Sequence, residues 1–370
     1  MDLLSRKVSR QMLSTALLSK ALAVDDGASR YEHVAKTPVR RGNATSHARS
    51  AEEALVRAGL RHSDPTPAQR RHHARPTSLH LHGGSHGVLL FHGLSSTPAE
   101  LNYLARGLNR AGYTVRVPVI EGYSHGLAGH ENSGHHKWME SALAAFDDMR
   151  SRCSTVSVGG LCIGSLLALS VSVARPSLTS ATLGLSTTLH YDGWANPWTR
   201  HLLHVLRYLP VAREMRIRER EPFGIKNERL RAMVAAQMRA SGTSDAGASQ
   251  LRVRDLLEAQ RLARVVRRSM HAIKAPTLLI HAKEDESASP RSSFEVAKGV
   301  SSRHVKLVLL SNSYHMISID GERSRVLSEM KGFLGEHLGP EEASKPDGSH
   351  EPVHANTEVF TQMKHAARFA

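Results

Sequence analysis

Only two of the 370 residues are cysteine, Cys153 and Cys162. Two thiols make no disulfide framework, and no CxxC pair exists to seed a zinc or redox site, so a reducing compartment, the cytoplasm, is expected. No HExxH motif occurs, and His80, His82 and His86 fall at strand-like spacing beside glycines rather than in a ligand cluster. No metal or other cofactor is therefore expected. Aromatic residues make up just 5% of the chain. The net charge of +15 is carried by basic residues interleaved with acids, so it builds no basic–aromatic module and no nucleic-acid partner is expected. No apolar run reaches the length of a membrane span, and the first residues lack the continuous apolar stretch of a secretory signal.

What is there divides into three parts. Residues 1–75 are rich in Ala, Arg, His, Ser and Pro and hold few large apolar side chains after the first two dozen, which predicts a mostly disordered basic segment. At its start Leu3, Leu4, Val8, Met12, Leu13, Leu17 and Leu22 share roughly one helical face with Arg6, Lys7 and Arg10 elsewhere. Such a basic amphipathic helix can touch a membrane; a helix packed on the domain is the competing reading. Residues 339–370 resemble the first segment in composition and are expected to be a disordered tail. The core runs over 76–338.

Inside the core, short apolar runs alternate with helical patterns. "GVLLFHG", "YTVRVPVI", "TVSVGG", "SATLGLST", "PTLLIHA" and "HVKLVLL" read as strands. "PAELNYLARGLNRAG", "HHKWMESALAAFDDMR", "SLLALSVSVA" and "SRVLSEMKGFLGEHL" read as helices, the first stopped by Gly112. This alternation predicts an α/β fold, a mostly parallel sheet with helices on both faces. Between 190 and 270 it breaks into three amphipathic helical stretches, "WTRHLLHVLRYLP", "NERLRAMVAAQMR" and "RVRDLLEAQRLARVVRR". Insertions at the C-terminal edge of such a sheet usually cover its ligand site, so 190–270 is expected to be a helical cap; the alternative is that these helices patch the side of the fold.

One strand-to-helix junction carries chemistry. "TVSVGGLCIGSLLAL" places Cys162 between Gly160 and Gly164, the G-x-S-x-G nucleophile turn with cysteine in place of serine. Acyl transfer then needs a base held by an acid, in the chain order nucleophile, acid, histidine, and N–H donors for the oxyanion. Asp285 lies just past the strand "PTLLIHA", with Glu284 and Glu286 as weaker rivals, and His315 lies in the loop before the last helix. For the oxyanion hole, "FHGLSS" supplies the N–H of Leu94, and the start of the helix after the elbow supplies that of Ile163.

Taken together, "VLLFHGLSSTPAELNYLARGLNRAGYTVRVPVIEGYSHG", "SVGGLCIG", "APTLLIHAKEDESASP" and "SNSYHMISID" resemble the α/β-hydrolase superfamily, nearest to bacterial carboxylesterases and monoacylglycerol lipases with a small helical cap. The resemblance covers the core and not the tails. It implies an α/β-hydrolase fold with Cys162, Asp285 and His315 as nucleophile, acid and base and Leu94 and Ile163 at the oxyanion hole. It implies a small-molecule acyl ester or thioester as substrate. The departure is Cys162, because that group normally has serine; thiols at helix starts beside an imidazolium exist partly as thiolate and are competent nucleophiles. Hydrolysis is the first expectation, with acyl transfer through the same acyl-cysteine and a non-catalytic binding protein as alternatives. Arginines in the insertion (Arg213, Arg216, Arg218, Arg220, Arg264 and neighbours) read as a solvated face or as a dock for an anionic acyl donor such as a CoA thioester.

Overall fold

Strands buried on both faces read as unbroken apolar runs, and β2 (His86–Phe91) and β10 (Thr277–Ala282) are two of them, with every residue buried. The computed structural model describes residues 76–124, 134–196, 215–241, 243–244, 247–248 and 250–338. The expectations for 1–75, for 339–370 and for the helix at 198–210 lie outside the described residues.

In chain order the described core runs β1 (Leu79–Leu81), β2, a 3-10 turn (Pro98–Leu101) leading into α1 (Asn102–Asn109), β3 (Thr114–Val117), α2 (His135–Arg150), β4 (Thr155–Leu161), α3 (Ile163–Ala174) and β5 (Thr179–Leu185). The insertion follows with β6 (Arg216–Arg218), α4 (Glu228–Ser241), the short strands β7 (Thr243–Ser244) and β8 (Gly247–Ala248), β9 (Gln250–Arg252) and α5 (Val253–Ser269). The chain then returns to the sheet through β10, α6 (Arg291–Gly299), β11 (Val305–Leu310) and α7 (Arg323–His337).

The large sheet has the order β1-β3-β2-β4-β5-β10-β11. Every pairing in it is parallel except β1 with β3. Alternation at period two sends Leu89 and Phe91 of β2 to one face and Val88 and Leu90 to the other. The first face is covered by α2, α3 and α5, the second by α1 and α7. Gly107 of α1 lets Leu327 of α7 close on it; a Cβ there would meet the Leu327 side chain at 2.2 Å.

The insertion is not uniform. Helix α5 buries Ala259, Leu262, Ala263, Val265 and Val266 in the same core as α2 and α3. Each fully buried Leu or Val contributes about 1.5–3 kcal/mol relative to exposure, so α5 belongs to the layer that covers the sheet. The part of 190–270 that touches the sheet's C-terminal loops lies before it. Ala248 N–H donates to the Ser95 carbonyl (3.2 Å), and the Gly224 carbonyl accepts from the Met316 N–H (2.8 Å).

From β2 the chain moves outward to β3, then crosses back over β2 to β4, and from there it proceeds in the opposite direction. The switch point therefore lies between β2 and β4, where open α/β sheets bind ligands beyond their strand ends. Pairing of Phe91 with Gly160 sets the His92–Leu94 loop beside the Leu161–Cys162 turn at that point.

Candidate active site

Cys162 stands between β4 and α3 with φ 58° and ψ −120°. A positive φ on a residue with a Cβ is costly, and such strain persists only where the surroundings over-determine it. Here the two flanking glycines do so. A Cβ on Gly160 would sit 2.2 Å from the Gly164 carbonyl oxygen, and one on Gly164 would sit 2.2 Å from that of Phe91. The turn is thus closed too tightly for side chains on either flank, and it lifts the Cys162 thiol above the start of α3. Cys162 N–H is fixed to the Leu185 carbonyl (2.9 Å), and Ser165 in the first turn of α3 bonds Thr187 (2.7 Å). Thr188 Oγ1 lies 3.5 Å from Cys162 Sγ.

His315 and Asp285 come to this point from the loops after β11 and β10. His315 Nδ1 is 2.7 Å from Asp285 Oδ2. With Nδ1 so engaged, the ring's contact with Cys162 falls to Nε2. Burial by itself would lower the His315 pKa, but the Asp285 charge, the neighbouring Cys162 and hydrogen bonds to both hold it well above the usual imidazole value. Burial likewise opposes ionisation of Asp285, yet His315 and His281 together hold its carboxyl well below the usual carboxylate range. Asp285 Oδ1 accepts the N–H groups of Ser287 (2.9 Å) and Ala288 (2.8 Å).

The three neighbouring acids separate by geometry. Glu284 is exposed toward Lys226 Nζ (3.0 Å). Glu286 is buried, but its carboxylate accepts the His315 backbone N–H (3.1 Å) and the Ser287 hydroxyl (2.9 Å), so it holds the loop rather than the ring. Asp285 alone of the three reaches the imidazole.

The two N–H groups expected at the oxyanion hole lie on either side of the Phe91–Gly160 pairing. Neither the Leu94 N–H nor the Ile163 N–H finds an acceptor among the described residues. His92 is fully buried and bonds Gly93 O through Nδ1 (2.8 Å) and Ser124 Oγ through Nε2 (2.7 Å). Trp138, at the start of α2, is buried with its indole N–H on the Gly122 carbonyl (3.1 Å).

Several residues around the site escaped the sequence reading. His281 Nε2 lies 3.2 Å from Asp285 Oδ2 and 2.8 Å from Ala288 O, while Nδ1 meets Ser293 Oγ (2.7 Å). It therefore buttresses the acid from behind. Glu100 and Glu219 are acids whose pKa burial pushes up to about 7, with Glu286 adding to the effect on Glu219. The Tyr191 hydroxyl is raised well above its usual value by burial, with the negative charges of Cys162 and Glu219 adding to it. A histidine four residues before the acid was the one sequence signal for His281; nothing in "RIRERE" sets Glu219 apart from its charged neighbours. Among the described residues no cluster of three metal-ligating side chains exists, and no helix is long and apolar enough to cross a membrane.

A parallel sheet that puts a strained elbow at its switch point, with acid and histidine arriving later from successive strand ends, is the architecture of an α/β-hydrolase. The chain belongs to the family described as serine aminopeptidase, S33, whose pattern matches residues 85–322. It is 23% identical over 261 residues to a thermostable monoacylglycerol lipase of Bacillus sp. (strain H-257), covering 70% of this chain and 95% of that protein. It is 22% identical over 262 residues to a carboxylesterase of Bacillus subtilis (strain 168), covering 70% and 96%. Among solved structures, one described with the metagenome-derived lipolytic enzymes LipS and LipT aligns with TM-score 0.61 at 24% identity, over 71% of this chain and 99% of that one. A monoacylglycerol lipase of Paleococcus ferrophilus aligns with TM-score 0.59 at 16% identity, over 70% and 98%.

Proposed function

We propose that this hydrolase cleaves uncharged carboxylic esters or thioesters through a covalent acyl-cysteine on Cys162. The observation that carries the reading is the thiol on a strained elbow with a buried His315–Asp285 pair behind it. The Cys162 thiolate attacks the carbonyl carbon, and the oxygen that gains charge is received by the Leu94 and Ile163 N–H groups. The tetrahedral species collapses and expels the alkoxide or thiolate, which takes its proton from His315 Nε2. Water then gives a proton back to His315 and attacks the acyl carbon, and the carboxylic acid and Cys162 are released. Asp285 keeps the proton on Nδ1 and stabilises the imidazolium. Thr188 Oγ1, which also lies 3.1 Å from Ser186 O, is placed to donate to the thiolate when it forms.

Charge around the site supports uncharged substrates. The titratable groups gathered about Cys162 and His315 include Asp285, Glu286, Glu100 and Glu219, while Arg216, Arg218, Arg220, Arg229, Arg267 and Arg268 of the insertion are exposed. A polyphosphate leaving group such as CoA would meet carboxylates in the site and find its arginines outside. Names of the curated relatives agree with ester hydrolysis.

The test is a panel of p-nitrophenyl esters and acyl-CoAs, with intact-protein and peptide mass spectrometry after rapid quenching. Turnover of the uncharged esters with an acyl adduct on Cys162, and loss of both in Cys162→Ala, is the expected result. Full activity in Cys162→Ala would overturn the mechanism, and preference for acyl-CoA over neutral esters would overturn the substrate class.

A further inference from the structure

Glu100 is a buried acid that the proposed reaction does not use. It sits in the 3-10 turn after β2, 1% exposed, and its Oε1 accepts the Gly93 N–H at 3.0 Å. Both carboxylate oxygens lie against the Gly93 Cα, so that a Cβ there would meet each at 3.2 Å. A carboxyl this far from water is expensive unless something holds it there.

Gly93 is the residue whose two torsions aim the Leu94 N–H, and glycine has the widest choice of torsions. Both of its peptide planes are pinned. On its far side the Gly93 carbonyl accepts the Ser96 N–H (3.2 Å) and faces His92 Nδ1 (2.8 Å). In a trans peptide the N–H points opposite to the C=O, so fixing the Gly93 carbonyl fixes the direction of the Leu94 N–H. On the near side the N–H is held by Glu100. Beyond Leu94, the Ser95 N–H is tied to the Tyr123 carbonyl (3.3 Å), so the Leu94 N–H, without an acceptor among the described residues, lies between two engaged donors.

We infer that Glu100 is a positioning residue for the oxyanion: it clamps the His92–Gly93 peptide so that the Leu94 N–H faces the Cys162 elbow. The inference rests on the acyl-cysteine reading for the identity of the nucleophile, but it concerns the carbonyl oxygen and not the thiol. Donors aimed at the developing charge act on the transition state more than on bound substrate, so losing their aim lowers kcat and leaves KM largely alone.

The experiment compares full-length wild type, Glu100→Leu and Glu100→Gln on one activated ester, with iodoacetamide alkylation of Cys162 measured in parallel. Alkylation places no negative charge on a carbonyl oxygen and so does not need the Leu94 N–H. Glu100→Leu is expected to lower kcat about 10- to 100-fold with KM within about twofold and with the Cys162 alkylation rate unchanged. Glu100→Gln, which keeps an acceptor for the Gly93 N–H, is expected to recover most of kcat. Wild-type kcat in Glu100→Leu would overturn the inference. So would a Gln variant as impaired as Leu, or an alkylation rate that falls in step with kcat. Should Glu100→Leu fail to fold, the Gln variant decides alone: a kcat reduced tenfold or more with intact alkylation overturns the clamp, and a retained kcat supports it. Cys162→Ala assayed alongside separates the two failures, since it must be inactive for the acyl-cysteine reading to stand whatever Glu100 does.

Discussion

Replacing Glu100 by glutamine should stabilise the protein at alkaline pH and do little at acid pH. Burial pushes the Glu100 carboxyl up to about 7 from the ordinary 4.5. A raised carboxyl pKa means that the folded state prefers the protonated form. Its contribution to stability is fully present below pH 4.5, declines as pH rises from 4.5 toward 7, and is lost above 7. A displacement of that size corresponds to about 3 kcal/mol between the two protonation states. Glutamine keeps the carbonyl acceptor and cannot ionise, so its curve is flat at this position. Other buried acids cancel in the difference, because both proteins carry them. Urea denaturation of wild type and Glu100→Gln from pH 4.5 to 8 should therefore show the variant gaining about 3 kcal/mol on the wild type across that window. A difference constant to within about 0.5 kcal/mol would show that Glu100 is not held away from water as its burial indicates. A positive result would also mean that the wild type keeps a carboxylate its fold would be more stable without, the trade expected of a residue retained for activity.

If Cys162 is the nucleophile as proposed, losing the acid should be milder than in a serine enzyme, because thiols ionise far more readily than hydroxyls. Asp285→Asn is expected to retain clearly more kcat than His315→Ala on one activated ester, and equal loss in the two would refute that reasoning. His92 is fully buried, and burial pulls its imidazole down to about 4 although the Gly93 carbonyl opposes the shift. The folded state thus holds the neutral ring, so this stability is fully present above pH 6.5 and is lost as pH falls from 6.5 to 4. About 2 kcal/mol should disappear between pH 7.5 and 5 and be recovered in a His92→Gln comparison by denaturant titration. Gly160→Ala should destabilise the fold by at least about 1–3 kcal/mol and abolish turnover, since its Cβ would meet the Gly164 carbonyl at 2.2 Å. Thermal unfolding and ester hydrolysis measure the two effects separately.

Much of this arrangement is legible in the amino-acid sequence, for identifiable reasons. Buried parallel strands announce themselves as apolar runs, which is why β2, β4 and β10 stand out. The elbow shows because Gly160 and Gly164 are required by a closure that admits no side chain. What stayed hidden is of two kinds. β1, the β7–β8 and β6–β9 pairings and helix α6 are short or carry weak periodicity, and "SLHLHGG" shows its histidines before it shows a strand. Glu100 and His281 are polar residues in stretches that look exposed, and only tertiary packing removes them from water; it half-buries Glu219. The place of α5 was hidden for a related reason. Its amphipathic stripe announces that it packs on something, and only the fold shows that the partner is α2 and α3.

Two of the main-chain tethers between the insertion and the sheet loops bear on how the protein can change over evolutionary time. One ends on Ser95, next to the Leu94 donor, and the other on Met316, next to His315. The segment that would shape the substrate's surroundings is thus stitched to the two loops that would carry charge and proton. A cover borrowed from a family member would bring its own selectivity but arrive with both stitches cut, leaving the Ser95 carbonyl and the Met316 N–H without their partners. Exchange that carries the segments around Gly224 and Ala248 together with the loops around 92–96 and 313–317 should therefore keep activity where exchange of the insertion alone yields inactive chimaeras.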